Sequence, residues 1–145
     1  MWGATEGTHS HPWSTTPASA IASGLMGVRP TVPGWKKWIA KPAPGNLTHA
    51  SIVVPTMHGQ IQARLNGTHV RGRFELGLKV PAGTEATACV RKTADRESRA
   101  RLLLNGVDMT AKATTVAAMG SASYVCIEGL TQRGGDAEHL LLRMA

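Results

Sequence analysis

The sequence predicts a mainly β protein, an antiparallel β-sandwich preceded by a loop and one α-helix. Three observations carry this. Short apolar or alternating runs recur with a turn signal every ~8–12 residues, the spacing of a sandwich. Glycine and proline, 16 and 8 of the 145 residues, punctuate those runs. Only one stretch near the front has helical rather than strand periodicity.

Residues 1–13 have no period and read as a loop. Thr16-Pro17 reads as a helix start, with Thr at the cap and Pro at the first helical position, where its missing N–H costs nothing. Ala18, Ile21, Ala22 and Leu25 follow at i, i+3, i+4 and i+7 and form one apolar stripe. Gly24 admits close packing by a neighbour. Gly27 suits the left-handed position that ends a helix, and Pro30 and Pro33 prevent its continuation. This sets an expected boundary, with residues 1–32 as one unit and 33–145 as the sandwich.

Beyond Pro33-Gly34 the period becomes two. Trp35–Lys41, His49–Val54 and Gln60–Leu65 read as strands, and Asn66-Gly67 as a tight hairpin turn leading into His69–Lys79. Pro81-Ala82-Gly83 turns the chain into a Thr/Ala/Val strand, Thr84–Arg91. Arg101–Leu104 is the next strand, closed by Asn105-Gly106. Thr114–Met119 is ambiguous, and Ser123–Glu128 and Glu138–Met144 complete about eight strands. Trp35 and Trp38, three apart in a presumed strand, point to opposite faces. One is assigned to the contact between helix and sandwich and one to the sandwich surface.

Composition excludes several classes. The net charge of +7 raises the question of nucleic acid, but Lys and Arg are scattered and do not alternate with base-stacking aromatics. The densest basic stretch, Arg91 to Arg101, is interrupted by Asp95 and Glu97 and reads as a solvated loop. No nucleic-acid partner is expected. No apolar run approaches the ~20 residues of a membrane span, and no basic segment followed by an apolar core marks a signal peptide. Secretion of a larger whole stays open. Asn46-Leu47-Thr48 and Asn66-Gly67-Thr68 are sequons that would accept glycans in a secreted chain. Cys89 and Cys126 lie in separate apolar runs and are either a strand-to-strand bridge or two buried thiols.

The histidines show no metal-ligand spacing. His9 and His11 lack a third and fourth ligand, so neither metal nor other cofactor is expected. No G-x-S-x-G elbow or phosphate-cradling loop is present.

An ordered series of short motifs points further. Ser10-His11-Pro12-Trp13 and Thr16-Pro17-Ala18 come first. Gly27-Val28-Arg29-Pro30, Pro33-Gly34-Trp35, Lys41-Pro42, and Val54-Pro55-Thr56 with His58-Gly59-Gln60-Ile61 follow in turn. In order and spacing this series resembles the C-terminal region of α-L-rhamnosidases, glycoside hydrolase family 78. The resemblance covers residues 9–65 closely and 66–145 more loosely, with Val80–Thr84 and Leu103–Val107 also in keeping.

The resemblance implies that the helix is the last of a catalytic (α/α)6 barrel, whose earlier helices lie upstream. It implies membership of an inverting hydrolase that releases terminal α-L-rhamnose from a rhamnose-containing glycan or glycoside. Such an enzyme needs a carboxylic acid and a second, water-activating carboxylate about 6.5–9.5 Å apart. In the family the acid lies far upstream. Glu6 is either the tail of the base-bearing loop or an ordinary loop glutamate. His11 is the motif histidine implied to line the sugar pocket, with a structural role at the helix start as the alternative. Trp13, and less so Trp2, offers an apolar face for the 6-methyl side of rhamnose or else packs the barrel rim. The fragment alone is expected to be inactive. The rival reading is a stand-alone carbohydrate-binding or structural β-sandwich.

Overall fold

The computed structural model describes residues 16–68, 73–92, 102–117, 123–132 and 139–144. They form two packed β-sheets with one ten-residue helix in front. The helix α1 (Thr16–Ala20) continues as a wider-wound turn over Ile21–Leu25. Ser23 Oγ donates to the carbonyl of Ser19 along it, at 2.6 Å, the back-bonding that loosens small-residue helices.

Eleven strands follow among the described residues. They are β1 (Val28–Pro30), β2 (Lys37–Ala40), β3 (His49–Thr56), β4 (Gly59–Thr68), β5 (Arg73–Lys79), β6 (Glu85–Lys92), β7 (Leu102–Leu104), β8 (Val107–Asp108), β9 (Thr114–Ala117), β10 (Ser123–Thr131) and β11 (His139–Met144). One sheet has the order β1-β2-β6-β10-β9 and the other β3-β4-β5-β11-β7-β8. All pairs are antiparallel except β2 against β6. The parallel pair arises because the chain leaves the first sheet after β2, builds β3, β4 and β5 in the second, and returns as β6.

The core lies between the sheets. Trp38, Ala40, Ala86, Ala88, Val90, Ile127 and Leu130 come from one, and Ile61, Ala63, Leu65, Leu76, Leu78 and Leu140 from the other. Period-two alternation built this in β2, β4, β5 and β6, while in β10 a register shift between Ile127 and Leu130 brings both inward. Trp38 is only 1% exposed and is a centre of the core, not a surface residue. Trp35 is partly buried against the same cluster. The assignment of the two to interface and surface is thus corrected. Trp35 lies in a 3-10 turn, Pro33–Trp35, with φ of 61°, so strand alternation does not apply to it.

The Trp38 indole is held by polar contacts as well. Its Nε1–H donates to Thr84 Oγ1 at 3.3 Å, and that hydroxyl donates to the Pro81 carbonyl at 2.8 Å. Thr84 is buried and sits in the turn that feeds β6. Thr84→Val keeps the shape but strands the buried Trp38 N–H, while the Pro81 carbonyl keeps the Thr84 backbone N–H at 3.3 Å. It is expected to lower unfolding free energy by about 1–3 kcal/mol in urea titration.

A second correction concerns Asn66-Gly67. These residues do not turn. β4 runs straight through them, pairing Asn66 with Glu75, Gly67 with Phe74 and Thr68 with Arg73. On the other side Asn66 pairs with His49, and the Gly67 N–H bonds to the Thr48 carbonyl at 3.0 Å. Neighbours on both sides hold the dipeptide within the strand, with Gly67 at a φ of 141°, overriding its turn preference. Asn105-Gly106, which joins β7 directly to β8, does make the tight turn expected of it. Both residues are left-handed there, φ 50° and 82°.

Cys89 and Cys126 face each other across β6 and β10 and form a disulfide, with Cα atoms 4.1 Å apart. The bridge sits with Tyr124 and Ile39 in a small cluster separate from the main core.

Candidate functional site at the helix–sandwich junction

The geometry of greatest functional interest is where the helix enters the sandwich. The helix ends at Met26 and Gly27. Met26 is fully buried in the core, and Val28 nearly so. Gly27 has a φ of +63°, and an added Cβ there would land on the carbonyl of Lys41. Its own carbonyl accepts from the Lys41 N–H at 3.1 Å, and the Leu25 carbonyl accepts from Ala43 N–H at 2.8 Å. The last turn of the helix is therefore tied by backbone to the strand end of β2. This satisfies carbonyls that a helix terminus leaves open.

The segment after β2 is fixed from the far side of the sheet. Tyr124 donates its hydroxyl to the Pro42 carbonyl at 3.2 Å, and the Lys41 ammonium lies 4.5 Å from the centroid of the Tyr124 ring. A further tie joins the 3-10 turn to the β3–β4 hairpin. The His58 Nε2 is 3.0 Å from the Gly34 carbonyl, which makes it the donor, and Met57 sulfur lies against Gly34. Thr56 Oγ1 shapes that hairpin by bonding to the Gly59 carbonyl and accepting from His58 N–H. Sequence reasoning placed the hairpin here but missed the His58 tie. Its spacing from Gly34 carries no motif that could have shown it.

The front of the helix has the opposite character. No residue from Thr16 to Leu25 is fully buried. Leu25 touches the core, but Ile21, on the same predicted stripe, is 51% exposed, and nothing lies within 4 Å of where a Gly24 Cβ would stand. The close packing that Gly24 permits has no partner among the described residues. Met57, 79% exposed, and Val32 add apolar surface near the 3-10 turn.

Glu6, His11 and Trp13, the sequence-derived catalytic and sugar-contacting candidates, lie outside the described residues, as does Trp2. The interrupted basic run after Arg91 is also largely outside them. Elsewhere, an open cleft of about 470 Å³ is lined by Leu104, Met109, Lys112, Ile127, Glu128 and Leu140, among others. Among the described residues no aromatic ring lines it to offer the flat apolar wall on which a sugar ring stacks.

The junction is also where a family model begins to match. Residues 27–102 match the bacterial alpha-L-rhamnosidase C-terminal domain. The chain belongs to this family. The alpha-L-rhamnosidase C-terminal domain described here is also similar in fold to two solved enzymes. One is the alpha-L-rhamnosidase of Dictyoglumus thermophilum, with a TM-score of 0.71 and 21% identity over 96% of this chain. The other is the Streptomyces avermitilis alpha-L-rhamnosidase complexed with L-rhamnose, with a TM-score of 0.56 and 20% identity over 85% of this chain. The rhamnosidase C-terminal domain spans 14% and 10% of the lengths of those two chains. No curated protein matches it.

Proposed function

We propose that this chain is the C-terminal portion of an inverting α-L-rhamnosidase-type glycoside hydrolase that releases terminal α-linked L-rhamnose. The observation that carries the proposal is the helix whose apolar stripe is anchored at Leu25 and left open at Ile21. A short helix is marginal in water unless its apolar face is covered. The cover proposed is the preceding helices of an (α/α)6 barrel, with residues 1–32 as the barrel's terminal loop and last helix. Residues 33–145 are the sandwich that braces it, and Met26 to Pro30 form the seam.

In this reading the leading loop faces the sugar. His11 and Trp13 contact rhamnose, the imidazole through ring hydroxyls and the indole through the 6-methyl face. Glu6 is the only acidic side chain in residues 1–15 and is the candidate for the water-activating base. Inversion needs two carboxylates with room for water between them. The general acid must therefore come from the upstream part of the enzyme. The L-rhamnose held by the Streptomyces avermitilis enzyme supports the substrate class.

The test is direct. The 145-residue chain, supplied with an aryl α-L-rhamnoside, is expected to release no phenol above the uncatalysed rate. Turnover by the chain alone would overturn the proposal. Rhamnose binding by residues 33–145, measured calorimetrically, would instead favour a stand-alone carbohydrate-binding sandwich.

A further inference from the structure

We propose that Asn46 and Asn66 form a paired N-glycan acceptor site at one end of the β3–β4 hairpin. Two sequons twenty residues apart in sequence could have been distant or buried; the fold makes them neighbours. Asn66 pairs with His49 across the strands, and the Gly67 N–H bonds to the Thr48 carbonyl at 3.0 Å, so the second sequon is stitched to the last residue of the first. Both asparagines are exposed. Asn46 sits within a turn closed by the Leu47 N–H on the Pro44 carbonyl. Asn66 stands on the outer face of β4, alternating with the buried Ile61, Ala63 and Leu65. A large substituent on either carboxamide meets solvent.

An independent observation bears on the compartment. The Cys89–Cys126 disulfide belongs to an oxidising environment, where glycan transfer also takes place. In that transfer the Asn Nδ2 attacks the anomeric carbon of a polyprenyl-diphosphate-linked oligosaccharide. A C–N bond forms, the carbon–oxygen bond to the diphosphate breaks, the lipid diphosphate leaves, and the amide gives up one proton. No oxidant is needed. The glycans would shield the exposed Leu47 between the two sites.

The experiment uses protein isolated from its own source, digested and treated with peptide-N-glycosidase. Conversion of both Asn46 and Asn66 to aspartate is expected. Unmodified amides at both positions overturn the proposal, and modification at one alone overturns the pairing. In a eukaryotic secretory host, Asn46→Gln and Asn66→Gln should each remove one of two mass increments, and Thr48→Ala should remove the same increment as Asn46→Gln. An increment that persists in the double Asn→Gln variant also overturns it.

Discussion

Replacing Gly27 with alanine is expected to destabilise the chain by about 3–4 kcal/mol, measured as a shift in urea midpoint at unchanged slope. Two independent costs combine. The residue holds a φ of +63°, which an L-side chain reaches only with strain of about 1–3 kcal/mol. The new methyl would also coincide with the Lys41 carbonyl, which is backbone and cannot swing aside as a side chain does. Relief requires the helix to move away from β2, breaking the Lys41-to-Gly27 and Ala43-to-Leu25 hydrogen bonds and opening the pocket that encloses Met26. Gly24→Ala is the control. It stands in open space in the same helix, and alanine there should be neutral or slightly stabilising by helix propensity. Equal losses at the two positions would show that close approach at Gly27 does not secure the junction.

Removing the Cys89–Cys126 bridge is the other large effect. The two cysteines are 37 residues apart, and a crosslink closing a loop of that length restricts the unfolded chain by about 4 kcal/mol. The loop contains β7, β8 and β9, so cutting the bridge releases the unfolded chain over much of the C-terminal half. The expected result is a loss of about 2–4 kcal/mol in the Cys89→Ala/Cys126→Ala variant, with a similar loss when the native chain is unfolded under reducing conditions. The β6–β10 pairing and the Tyr124 hydroxyl bond to Pro42 remain, so the folded state should keep its sheet order. A loss below about 1 kcal/mol would mean that the bridge only marks a pairing the strands already enforce.

How much of this was legible before the structure depends on whether the signal was local. Gly27, followed by proline, read correctly as a helix end because a left-handed terminus is a property of a few adjacent residues. Asn105-Gly106 turned as expected for the same reason, and the Ile61, Ala63, Leu65 alternation predicted the inward face of β4. Asn66-Gly67 misled because its fate was decided by pairing on both sides, with His49 of β3 as well as Phe74 of β5. Trp38 was misplaced because the backbone of Trp35 breaks the two-residue period just before it. The parallel β2–β6 contact was illegible in principle, and the cysteine bridge stayed one of two alternatives, since both depend on how the chain returns to a sheet it has left. The His58 tie to Gly34 belongs to this group. Glu6, His11 and Trp13 were legible only through family resemblance, because a sugar pocket depends on groups that no periodicity within these residues encodes.

The position of β11 has a consequence for biosynthesis. It lies between β5 and β7, and among the described residues β8 joins the sheet through β7. The β7–β8 hairpin, though made earlier, has no sheet to join until β11 leaves the ribosome. During that interval the apolar inward face carrying Leu76 and Leu78 lacks its lateral neighbour on one side. A ribosome that stalls before β11 would release a chain with a split sheet and unpaired strand edges. Such a species is a natural target for chaperones and proteases. Completion of this sheet thus waits on β11, the one strand that joins the β3-β4-β5 side to the β7-β8 side.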